Sequence, residues 1–161
     1  MSIFDSLLST EWGAFVITLA VAMVPVLELR GAIPLGVALG LSPWESFCAA
    51  VIGNSIPVPF IVLFVRKVFA WLRRHFPRLD GTITRLEEKA HLKSKQVTKY
   101  KYWGLMIFVA IPLPGTGAWT GSLIAAVLDM SIAKSFPTIV AGVVIAGVLI
   151  MCLTGMVTLM V

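Results

Sequence analysis

The sequence predicts an all-α integral membrane protein: two inverted repeats, each a re-entrant helical hairpin plus a transmembrane helix, joined by a basic amphipathic cytoplasmic helix. Three observations carry this. The 161 residues are 58% hydrophobic and only 13% charged, with a mean hydropathy of +0.95, about half the roughly 25% charge of soluble domains. Eleven of the 13 basic residues fall within 66–101. Two long uncharged runs are interrupted by Pro and Gly, which a straight span does not tolerate but a cavity-lining segment does. The whole chain, 1–161, reads as one membrane domain.

Residues 12–44 are apolar except for Glu28 and Arg30, and Pro25, Gly31 and Pro34 break the run. Residues 46–65 carry no charge and match the ~20 residues of a spanning helix. Asn54, Ser55, Pro57 and Pro59 predict a kink in it. Residues 66–101 hold only Asp80, Glu87 and Glu88 against their basic residues. Ile83, Leu86, Ala90, Val97 and Tyr100 recur at helical spacing, so this linker reads as a helix lying along lipid headgroups. Residues 102–128 are uncharged and broken at Pro112, Pro114, Gly115 and Gly117, and 135–161 are uncharged to the end. No basic residue precedes the first apolar run and no cleavage motif follows it, so that segment is expected to be retained.

Positive charge marks the cytoplasmic side. That puts 66–101 inside and the flank bearing Asp5 and Glu11 outside, together with the turn at Pro43-Trp44-Glu45. Asp129 and Lys134 are compatible with an inner turn. On this assignment 12–44 enters and leaves on the outer side, and 102–128 does so on the inner side. The sequence carries a matching internal repeat. Residues 25–61 shifted by 89 positions give nine identities in 37, among them Pro25 with Pro114, Leu39 with Leu128, Ser42 with Ser131 and Gly53 with Gly142. Repeat 1 therefore covers about 12–65 and repeat 2 about 102–161. Inverted repeats around a midplane site are the architecture of alternating access.

The candidate site residues lie in the broken segments. Arg30 comes first: a charge at helix centre costs ~2.5–3.5 kcal/mol on insertion scales and demands a partner or a cavity, and its planar fork suits phosphate or carboxylate. Glu28 and Arg30 point to different faces of a regular helix and meet only if the backbone unwinds, for which Gly31 and Pro34 are the expected places. They either pair as a structural staple or bind ligand. In the second segment, Pro112, Pro114, Gly115, Thr116, Gly117, Trp119 and Thr120 combine accessible backbone N–H groups at a helix start with two hydroxyls and an aromatic wall. The competing reading is close helix packing through Gly117 and Gly121. Asn54 either completes the site or makes a structural polar contact.

Several functions are excluded or disfavoured. Cys48 and Cys152 sit in apolar runs and are too few for a disulfide or metal framework. His75 and His91 lie in the charged stretch, so no metal site and no cofactor is expected. No nucleophile–base–orienter set occurs in the apolar part, so the chain is not expected to be an enzyme. Gly115-x-Gly117-x-x-x-Gly121 has the wrong spacing for a dinucleotide fingerprint. Leu113-Pro-Gly-Thr-Gly117 lacks the basic tail of a sorting signal. The basic stretch is not a nucleic-acid surface, because the protein around it is embedded in lipid.

Glu28-Leu-Arg-Gly-Ala-Ile-Pro34 and Pro112-Leu-Pro-Gly-Thr-Gly-Ala-Trp-Thr-Gly121 together resemble the bacterial and archaeal "putative small multidrug export protein" family over roughly residues 12–150. That family is similar, more distantly, to the DedA-like superfamily, whose members have paired re-entrant hairpins and are implicated in moving undecaprenyl phosphate. The resemblance implies a small multi-pass transporter in a prokaryotic cytoplasmic membrane. The expected substrate is an amphiphile, a polyprenyl phosphate-type lipid first, with its head near Arg30 and the Thr116–Thr120 backbone. The alternatives are proton-coupled export of lipophilic cations at Glu28 and a non-transport membrane scaffold. A homodimer would shield the polar interior of so small a protein.

Overall fold

The structure is a computed structural model. It describes the backbone at 10–98, 101–113 and 115–160, and side chains at all of these except 93–98 and 156–160. The described residues form helices and no strand. In order these are α1 (Glu11–Ala22), α2 (Glu28–Ala38), α3 (Pro43–Ser55), α4 (Pro57–His75), α5 (Asp80–Thr98), α6 (Tyr102–Ala110), α7 (Ala118–Val127) and α8 (Ile132–Met160), with a short 3₁₀ turn at Pro77–Leu79. Among the described residues, two helical stretches are long and apolar enough to cross a membrane: the 33-residue Pro43–His75 and the 24-residue Ile132–Gly155.

Both apolar runs break where proline and glycine remove or redirect backbone donors. The first breaks at 23–27, around Pro25, and the second at 111–117. Pro114, Asp5 and Tyr100 lie outside the described residues, as does the side chain of Val97. One expectation is corrected here. The backbone does not unwind at Gly31 and Pro34, because α2 runs through both. The bend is taken up earlier, at Pro25, and Pro34 costs the helix only the bond to the Arg30 carbonyl. Where the sequence predicts a kink, the helix is interrupted at Ile56, between α3 and α4. Of the expected buried face of α5, Ile83 and Ala90 are buried whereas Leu86 is exposed.

The chain divides into two compact units, one of residues 1–56 and 143–161, the other of 57–142. In the first unit α1, α2 and α3 pack against one another. Gly53 of α3 seats against α1 so closely that a Cβ there would lie 2.2 Å from the Leu19 carbonyl oxygen. Such contact needs a residue without a side chain. In the second unit α7 packs on α4, α5 and α6. Gly142 of α8 seats against α6, where a Cβ would lie 2.8 Å from the Met106 carbonyl oxygen. Three buried hydroxyls are satisfied by local bonds: Thr18 donates to the Ala14 carbonyl, Ser122 to Ala118 and Ser135 to Ser131. In a helix surrounded by apolar groups this local bonding removes the desolvation cost of the hydroxyl.

The same turn occurs twice, 89 residues apart. After α2, Leu39, Gly40 and Leu41 donate to the carbonyls of Leu35, Val37 and Gly36. After α7, Leu128, Asp129 and Met130 donate to those of Ile124, Ala126 and Ala125. Gly40 (φ 94°) and Asp129 (φ 51°) hold the left-handed position of this helix-ending motif. Ser42 then caps α3 through a reciprocal bond pair with Glu45, and α8 starts at the matching position, Ile132.

Candidate functional site

In the first unit the break at Pro25 delivers the chain into α2 through Glu28, which has φ 47°. A non-glycine residue in this region costs about 1–2 kcal/mol. Glu28 is also buried, 4% exposed, and it acts electrostatically on Arg30. Arg30 is half-buried. It lies at a groove of about 580 Å³ whose other walls are Pro34, Val37 and Ala38 of α2 and Ile150, Leu153 and Thr154 of α8. The arrangement is a guanidinium on an otherwise mainly apolar trough, and Glu28 is not among the lining residues. Such a surface offers charge-assisted hydrogen bonds to an anionic head and apolar contact to a chain attached to it.

Asn54, in the same unit, is completely buried, and neither its carbonyl oxygen nor its amide nitrogen has a hydrogen-bond partner; the Ser46 hydroxyl is likewise buried and unpartnered. An unmade bond of this kind costs roughly 1–3 kcal/mol. Asn54 does not line the Arg30 groove.

The second broken segment belongs to the other unit. The Thr116 hydroxyl is used inside its own loop, shared between the Ile111 and Leu113 carbonyls at 2.7 Å each, and the Thr116 N–H donates to Leu113. Gly115 (φ 78°) and Gly117 (φ 121°) take conformations closed to other residues, and Gly117 opens α7. Pro112, Trp119 and Thr120 are half-buried. Gly121 serves packing, since a Cβ there would lie 2.5 Å from the Val109 side chain. The loop is therefore a tight, self-bonded entrance to α7, with Trp119 and Thr120 on its first turn.

Sequence reasoning found Arg30 and Pro34 but missed the rest of the groove. Val37 and Ala38 carry no polar signal. Ile150 and Leu153 look like any lipid-facing pair. Thr154 is the only hint, a hydroxyl in the last apolar run. Among the described residues no group of three or more His, Cys, Asp or Glu is placed to hold a metal.

Comparison with known proteins agrees with this membrane-embedded reading. No curated protein and no solved structure matches the chain. The family model described as "Putative small multi-drug export protein" matches residues 28–149, a stretch that begins at Glu28, just past the first break, and contains the second. The chain is a membrane protein belonging to that small multidrug export family.

Proposed function

We propose that this chain is a multi-pass transporter of a prokaryotic cytoplasmic membrane, not an enzyme, and that it moves an amphiphile with an anionic head, a polyprenyl phosphate-type lipid first. The observation that carries the reading is the Arg30 groove. A guanidinium partly withdrawn from water faces a trough whose other walls are mostly apolar. It favours an anion over a cation, and Glu28, the residue a cationic drug would need, is buried away from the lining. The duplicated turn, together with the opposite charge balance of the loops, supports two inverted repeats with re-entrant first halves. On this reading 66–101 is cytoplasmic, and a homodimer would complete the shielding of the groove. Lipid is the partner; no cofactor and no nucleic acid is invoked.

Binding of polyprenyl phosphate and of a lipophilic cation to the purified protein in neutral detergent tests this. The phosphate lipid is expected to bind more tightly, and Arg30→Ala to weaken it at least tenfold, the equivalent of one lost charge-assisted bond of about 1.5–3 kcal/mol. Tighter cation binding that disappears in Glu28→Gln would favour drug export instead. Equal, weak binding of both, unchanged by either substitution, would leave a scaffold.

A further inference from the structure

The second unit contains a groove that the Arg30 reading does not use. It encloses about 500 Å³, within the usual range of small-ligand sites. Val65 and Phe69 of α4 and Val127 of α7 supply apolar wall, while Arg66, Glu87 and Glu88 supply charge. The charge is inverted relative to its surroundings. The 66–101 segment is strongly basic, yet this groove presents two carboxylates to one guanidinium and the His91 imidazole.

Among the described residues, the ion pairs leave one of those charges unanswered. Arg66 is paired with Asp129, and Glu87 accepts from Arg73 at 2.8 Å. Arg73 is further held by Asp80 at 2.9 Å. Glu88 enters no ion pair among the described residues and stands exposed at the groove. An ammonium group there gains a carboxylate, while an attached chain gains the wall of Val65, Phe69 and Val127. Arg66 has five N–H donors, so its pair with Asp129 leaves capacity for a phosphate.

We infer that this groove binds an amphiphile with an ammonium head, its nitrogen at Glu88 and its apolar body between α4 and α7. Two sources carry that chemistry, an aminophospholipid and a free lipophilic cation. Only the first brings a phosphate for Arg66. The inference stands apart from the Arg30 reading, and either can fail alone.

The test uses the full chain carrying Arg30→Ala, which removes the anion-favouring groove, in neutral detergent. Dodecyltrimethylammonium, lysophosphatidylethanolamine and dodecyl phosphate are titrated by thermophoresis. Both ammonium probes are expected to bind, and Glu88→Gln to weaken both at least tenfold. Arg74→Gln, an exposed basic residue outside the groove, is expected to change neither. Tighter binding of the lysolipid, reduced in Arg66→Gln, identifies the phospholipid source. Tighter binding of the simple cation, indifferent to Arg66, identifies the other. Affinity unchanged in Glu88→Gln, with helicity intact by circular dichroism, overturns the inference, as does equally tight binding of dodecyl phosphate.

Discussion

Two stretches of this chain, 89 residues apart, share a turn and a helix entrance and differ in chemistry. The first turns from α1 to α2 at Pro25 and enters α2 through Glu28. The second turns at 111–117 and enters α7 through Gly117, 89 residues later. Glu28 and Gly117 both have positive φ. The second half uses the residue that the geometry prefers, and the first keeps a buried carboxylate there instead. Two positions on, Arg30 is matched by Trp119. On the long helices Asn54 is matched by Val143, although the neighbouring Gly53 and Gly142 are conserved between halves. Each departure puts polar or charged chemistry in the first half against a neutral, locally better-suited residue in the second. Backbone strain and unmade hydrogen bonds held at a few positions are where function is to be sought.

The largest expected effect tests the shared backbone. Gly53→Ala places a methyl group 2.2 Å from a carbonyl oxygen, and Gly142→Ala places one 2.8 Å from another. Overpacking of this kind costs about 1–3 kcal/mol and occasionally more. Gly53→Ala is expected at or above the top of that range and Gly142→Ala lower within it, read as loss of thermal stability in detergent. Equal tolerance of both would show that the long helices do not depend on these seats.

The next effect has the opposite sign. Asn54→Val gives the first half the residue found in the second and removes two unpartnered buried atoms. It is expected to stabilise the protein by about 1 kcal/mol, a modest part of the cost of an unmade bond. If Asn54 serves substrate movement, transport falls while stability rises. A destabilised Asn54→Val would mean instead that the amide is bonded in the native protein.

Glu28 gives a smaller contrast, drawn between two substitutions at one site. Both Glu28→Ala and Glu28→Gly remove the carboxylate, but only glycine accepts φ 47° without strain. Glu28→Gly is expected to be more stable than Glu28→Ala by about 1 kcal/mol, by chemical or thermal unfolding. The same order at Gly117, where Gly117→Ala is destabilised, would place the two entrances in the same conformational class.

Much of this was legible because it depends on local chemistry. Pro25, Pro112, Gly115 and Gly117 mark the breaks, since proline lacks a donor and glycine reaches positive φ. The interruption of the helix before Pro57 follows from the same rules, whereas the Ser42–Glu45 box, a side-chain cap, was not read. The left-handed Glu28 was not read, because glutamate does not advertise that conformation; the signal was the 89-residue shift, which pairs it with Gly117. Unwinding at Gly31 was expected from composition, but the bend had already been taken up at Pro25. The groove walls at Ile150 and Leu153, and the pocket at Glu88, depend on contacts between residues far apart in sequence, which periodicity cannot reveal.

The smallest effect separates the halves at their caps. Ser42 accepts from the Glu45 N–H at 3.2 Å, and the Glu45 carboxylate accepts from the Ser42 N–H at 2.8 Å. At the matching position Ser131 precedes α8, but the residue three further on is Lys134, which has no acceptor to return that bond. Loss of a serine N-cap typically costs ~1 kcal/mol. Ser42→Ala is therefore expected to cost about that much, and Ser131→Ala less. Lys134→Glu should narrow the gap by allowing the reciprocal bond. If Ser131→Ala proves the costlier change, the start of α8 relies on bonds unlike those at α3, and the resemblance between the halves ends at the left-handed residue before each cap.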